Sequence, residues 1–236
     1  MKWLGSLCIV GTLCWSGCVS SYRAAGPTQY DSRSIDGPSA HRDEPVRVNL
    51  EIGAGDLKVG SGTSKLVQAY FTYNVPAWKP EMHYEGGSLT VRQPSSHEPH
   101  FGNTKYDWDL RFNREIPLDM HVTFGAGEAQ LDLGSLDLRG VSLNMGVGRL
   151  EMDLRGHARH DYSVRIHGGV GEAIVHLPAG VAIDARAEGG IGEIEVRGLR
   201  KEGGRWLSEG TEDAKVKVHV DVEGGIGRIS LIGDGS

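Results

Sequence analysis

Cysteine is nearly absent from this 236-residue chain: Cys8, Cys14 and Cys18 are its only three, all near the amino terminus. The remainder has no disulfide framework to build. Proline is scarce, at nine residues, and no long stretch carries apolar residues at helical spacing, which argues against a helical fold. The formal net charge of −6 is mild. No basic stripe appears, so nucleic acid is not an expected partner. The one apolar run, Trp3 to Cys14, falls short of the roughly 20 residues that span a bilayer.

That run follows Met1-Lys2 and ends at Trp15-Ser16-Gly17-Cys18. A charged start, a short apolar core and a small-residue site make a secretory signal. Small residues before a cysteine resemble the lipobox of bacterial lipoproteins, which implies that residues 1–17 are removed and Cys18 carries the lipid. Trp15 departs from that pattern, where Leu is preferred. The competing reading is a signal cut elsewhere, with Cys18 incidental. Residues 18–45 are polar and contain Gly26-Pro27, Asp36-Gly37-Pro38 and Asp43-Glu44-Pro45. Such a stretch buries too little apolar surface to offset its ordering entropy and is expected to be a flexible tether. The protein is then expected to be exported and membrane-anchored in the cell envelope, on a periplasmic or surface face.

What the chain has in abundance is glycine, 35 residues, about twice the usual share of roughly 7%. Six Gly-x-Gly units with an apolar or Ala residue in the middle recur: Gly53-Ala54-Gly55, Gly125-Ala126-Gly127, Gly146-Val147-Gly148, Gly169-Val170-Gly171, Gly190-Ile191-Gly192 and Gly225-Ile226-Gly227. From the second onward their first glycines are 21, 23, 21 and 35 residues apart. A period in the twenties marks a stacked-repeat fold. After each unit comes a polar residue (Asp56, Glu128, Arg149, Glu172, Glu193, Arg228) and then an apolar or Ala residue, with period-two alternation continuing. Alternation puts one side of a strand in a core and the other in water. Each repeat is expected to be strand, Gly-x-Gly bend, strand, turn. Glycine permits positive φ and close stacking at the bend. The expected fold is all-β, a single-stranded right-handed β-solenoid over 46–236, with an antiparallel β-sandwich as the alternative. Residues 63–119 hold most of the aromatics and are expected to cap one end. The insertion Leu199 to Asp213, with Trp206 at its middle, is expected to be a surface loop, and Trp206 a possible partner contact.

The units Val48–Val59, Val122–Leu133, Leu143–Leu154, Ile166–Leu177, Ala187–Val196 and Val222–Leu231 resemble the bacterial toast-rack β-repeat family. That family includes adhesin heads and the carboxy-terminal domain of LiaF-like cell-wall-antibiotic response proteins. The resemblance runs from about Arg47 to Ile232 and speaks to architecture rather than activity. Unlike LiaF-like proteins, this chain has no multi-helix membrane segment.

A dinucleotide cradle needs a helix after its glycines, whereas strand follows here. Gly168-Gly169-Val170-Gly171 and its two counterparts differ from a calcium roll, because Ala173, Ile194 and Ile229 stand where an oxygen ligand is required. The pairs His97/His100 and His157/His160 read as solvated histidines, not a metal site. Glu172 and Glu193 are expected near 4.8 Å apart on neighbouring rungs, with Arg149 in the same column making a mixed-charge ladder. No catalytic residue, metal or cofactor is assigned. The expected function is a non-enzymatic envelope lipoprotein contacting an envelope protein or glycan. An accessory regulator of envelope stress and a glycan-active enzyme are the alternatives.

Overall fold

In the computed structural model, residues 23–24, 26–38, 44–95, 100–101, 103–209 and 213–233 are described. The expected signal peptide, Cys18 and His97 lie outside them. The first part of the chain gives β1 (Arg23–Ala24), β2 (Gln29–Ile35), β3 (Val46–Ser61), β4 (Val67–Tyr73) and a 3-10 turn at Pro76–Trp78. It continues with β5 (Glu81–Glu85), β6 (Ser88–Arg92), β7 (His100–Phe101) and β8 (Tyr106–Phe112). Then come β9 (Leu118–Asp132), β10 (Leu138–Asp153), β11 (Tyr162–His176) and β12 (Ala182–Arg197). The last are β13 (Arg200–Glu202), β14 (Arg205–Leu207) and β15 (Lys217–Ile232).

Each Gly-x-Gly unit sits at the middle of one long strand of 15 or 16 residues. The six long strands stack in parallel and in register in the order β3, β9, β10, β11, β15, β12. The fold is therefore an all-β rack of parallel rungs, not an antiparallel sandwich.

Burial along β3 shows why the strand must bend. Val46, Val48, Leu50 and Ile52 are buried, and the next buried residues are Leu57 and Val59. From Ile52 to Leu57 is five residues, so an unbroken pleat would send Leu57 to the opposite face. Both sets nevertheless lie in one hydrophobic core. The strand achieves this by doubling back. In β12 the Ile194 Cδ1 lies 3.6 Å from where a Cβ on Gly189 would stand, although five extended residues span about 17 Å. The sheet is folded along its line of glycines, and the core fills the space between the two arms.

The glycines are packed backbone on backbone at that line. Gly148 has φ +143, and a Cβ there would overlap the carbonyl oxygen of Gly127 on the preceding rung. The same approach recurs from each rung to the next, through to Gly192 over Gly227.

The ends differ. Beyond β3, its first arm pairs with β6 and its second with β8, and β4 and β2 continue the sheet. Phe71 and Trp108 meet edge to face at 5.4 Å there, as do Trp78 and Tyr106 at 5.7 Å. Burial pushes the Tyr106 phenol well above its ordinary range. Beyond β12, β14 pairs only with Asp184 and Ala185 of the first arm.

Three expectations change. Residues 29–35, read as part of a flexible tether, form β2, paired along its whole length with β4. A short polar strand that cannot form a core alone is held by the ladder of a sheet already built. The insertion after Leu199 is not simply a loop, because β13 and β14 make a hairpin that extends the sheet. That detour lets β15 slot between β11 and β12. Glu172 and Glu193 are consequently two rungs apart, with Arg228 between them.

The bend separates two kinds of glycine. Gly148→Ala should cost on the order of 3 kcal/mol from strain and overlap. Gly168 has an unstrained φ and nothing closer than 3.8 Å to a Cβ, so Gly168→Ala should change stability by at most about 1 kcal/mol, in the stabilising direction. Thermal melting of the two variants checks both values.

Candidate functional site

Folding the sheet along its glycines turns the middle residue of every Gly-x-Gly outward. In rung order these are Ala54, Ala126, Val147, Val170, Ile226 and Ile191, each paired with the next. At about 4.8 Å per rung, the ridge runs roughly 24 Å. It starts with alanine and becomes bulky and β-branched. Val147, Val170, Ile226 and Ile191 are 54%, 45%, 52% and 71% exposed. Glycines flank each knob, so no neighbouring side chain on the same rung covers it.

A charged ladder runs beside the ridge on the second arm. Arg149 meets Glu172 at 3.0 Å, Arg228 reaches Glu172 at 3.7 Å and Glu193 at 3.3 Å. On the first arm His167 Nδ1 stands 3.1 Å from Glu223 Oε2, and the hydrogen bond to Glu188 raises the Arg186 guanidinium above its usual pKa. These carboxylates are each engaged with an Arg or His side chain.

Beneath the bend, at the β12 end, lies an apolar cavity of about 70 Å³ lined by Met145, Ile166, Ala173, Val222, Ile229 and Ile194, among others. Its origin is one column of residues. Ile52, Phe124 and Met145 fill that column in β3, β9 and β10, and Gly168, Gly224 and Gly189 leave it empty in β11, β15 and β12. None of these three glycines has a positive φ, and at each a Cβ would meet at most the mobile end of an Ile side chain or an oxygen at 3.8 Å.

Trp206 lies on β14, half-buried against the core, with Lys201 Nζ 4.9 Å from its ring centroid. It is distant in the pairing pattern from the ridge, since β14 meets only the first arm of β12. His157 and His160 lie in the turn after β10, where His160 Nε2 is 3.9 Å from Asp137 Oδ1. Among the described residues no group of His, Cys, Asp or Glu is arranged to hold a metal, and no helix is long and apolar enough to cross a membrane. The ridge was within reach of sequence reading, because the middle residue of Gly-x-Gly grows along the chain from Ala to Val to Ile. The glycine before it, at Gly168, Gly189 and Gly224, stands out in the sequence only as a likeness to a calcium roll.

Replacing Val147, Val170, Ile226 and Ile191 together by Ser should leave the melting temperature within a few degrees, because exposed positions contribute little. It should remove most of the fluorescence gained by an apolar dye such as ANS mixed with the protein.

Residues 24–176 match the family model described as "N-terminal domain of toast_rack, DUF2154". No curated protein matches the chain. A solved "putative cell adhesion protein" from Clostridium sporogenes is 26% identical, with a TM-score of 0.79, over 88% of this chain and 100% of its own. A "putative adhesin" from Bacteroides fragilis is 11% identical over 89% of this chain and 99% of its own, with a TM-score of 0.37. A "putative lipid binding protein" from Parabacteroides distasonis is 12% identical over 91% and 98%, with a TM-score of 0.32.

Proposed function

This chain belongs to the toast-rack family, and from that premise we propose that it is a non-enzymatic cell-envelope protein whose rack presents an adhesive surface. The observation that carries the reading is the exposed apolar ridge Val147–Val170–Ile226–Ile191. Contiguous apolar surface rimmed by charge is what protein contacts use. Kinship to the clostridial structure named for cell adhesion supports the same reading. The partner in this proposal is an envelope protein or glycan.

The proposal includes the amino terminus. Residues 1–17 act as a lipoprotein signal, Cys18 carries the lipid, and the segment up to β2 spaces the rack from the membrane. Support for this part comes from the sequence of the signal and the lipobox-like Ser16-Gly17-Cys18. Trp206 is a secondary contact in the proposal, beside the first arm and away from the ridge at the bend.

Crosslinking in cells of the tagged full-length protein, alongside its Ser-substituted ridge variant, tests the reading. Envelope structural proteins or wall glycan should be recovered with the wild type and lost with the variant, while Trp206→Ala gives a smaller loss. Recovery of a sensor kinase and its membrane partners would replace adhesion by stress regulation. Membrane fractionation tests the anchor, since Cys18→Ala should move the protein out of the membrane fraction. Equal retention would remove the lipid from the account.

A further inference from the structure

The second arm of β12, residues 193–197, has no strand on its outer side among the described residues. It pairs with β15 alone, whereas on the first arm β14 covers Asp184 and Ala185. The Arg197 carbonyl accepts a hydrogen bond from Gly233 N–H. In a parallel ladder a residue turns both its backbone groups to one neighbour and alternate residues do the same. Glu193, Glu195 and Arg197 therefore face β15, and Ile194 and Val196 turn their N–H and C=O groups to the open side. Ile191 and Ile226 stand exposed beside this edge, Ile194 is 38% exposed, and the glycine-lined cavity opens beneath it. Natural sheets rarely leave such an edge unprotected.

We propose that a second copy of this chain docks here, edge to edge and antiparallel about a two-fold axis through Glu195. The segment is self-complementary in that arrangement at every pair except Glu195, which faces its own copy on the axis. Ile194 faces Val196 of the second copy, both with outward backbone groups, giving two bonded pairs. Glu193 faces Arg197 of the second copy in non-bonded pairs, where side chains approach most closely. Within one copy Glu193 already meets Arg228 at 3.3 Å and Glu195 meets Arg197. Across the axis, Glu193 of each copy meets Arg197 of the other, while the two Glu195 face each other, each paired with the Arg197 of its own chain. On the inner face, Ile194 and Val196 of each copy close the mouth of the cavity that Gly168, Gly224 and Gly189 leave open. An isologous contact of this kind closes on itself and ends the stack.

Sedimentation equilibrium of the full-length chain in density-matched detergent tests the proposal. The wild type should form a reversible dimer. Arg197→Glu sets like charges across the axis and should raise the dissociation constant at least about tenfold. Glu193→Arg combined with Arg197→Glu restores opposite charges and should bring it back to within about threefold of wild type. Both positions are exposed, and melting curves matching the wild type confirm that each variant folds. A wild type that stays monomeric up to about 100 μM overturns the proposal, as does a dimer indifferent to Arg197→Glu. A second measurement uses Glu195→Cys, which places two thiols across the axis. Mild oxidation of membranes should link this variant, and not the wild type, as a dimer; a folded variant that stays unlinked also overturns the proposal.

Discussion

Every rung of this protein rests on the one before it through backbone alone. At the bend, a glycine without Cβ sits against the carbonyl oxygen of the preceding Gly-x-Gly, from Gly127 over Gly55 through to Gly192 over Gly227. That approach fixes the register, because a slip of one residue would bring a Val or Ile side chain against a carbonyl. Register in turn decides which residues are buried, since a one-residue shift moves a whole strand's apolar set to the other face. The fold of the sheet into two arms, the shared core and the outward ridge all depend on this single line of contacts. It also fixes what the protein exposes: a residue between two such glycines has nowhere to go but out.

The same line accounts for how much could be read from the sequence. Six Gly-x-Gly units followed by polar then apolar residues pin down the repeat and its β nature, because periodicity and glycine placement are local signals. Rung order is not local. The interval of 35 residues before Gly225 was legible as an insertion, but nothing in it says that β15 enters between β11 and β12. That depends on the β13–β14 hairpin occupying the outer side of β12's first arm. Strand β2 was hidden for a related reason. Its residues Gln29 to Ile35 are polar and alternate only weakly, so they look like tether until β4 offers them a ladder.

Charge shows how the order of rungs alters chemistry. With Glu172 and Glu193 as neighbours, two carboxylates would sit near 4.8 Å apart and disfavour each other's ionisation. Arg228 between them turns a repulsive pair into an alternating row of Arg149, Glu172, Arg228 and Glu193. Exposed pairs of this sort contribute little stability each. Their consequence is to keep the flank of the ridge polar and close to neutral, so the apolar knobs are the distinctive feature of that surface.

Two columns change in opposite directions along the rack. Inside the bend, Ile52, Phe124 and Met145 give way to Gly168, Gly224 and Gly189; outside it, Ala54 and Ala126 give way to Val147, Val170, Ile226 and Ile191. Burying a side chain the size of Met or Phe stabilises by about 1.5–3 kcal/mol, and glycine in a strand adds its own entropic cost. The half of the rack near β12 thus forgoes several kcal/mol that its backbone geometry does not oblige it to lose. At the β3 end, where aromatic rings and extra strands cover the first rung, no such loss occurs. Removing interior volume while adding exterior apolar surface makes the β12 end the weaker core and the better contact. A contact made there recovers burial that the isolated rack lacks, which is the physical reason both proposed contacts fall at that end.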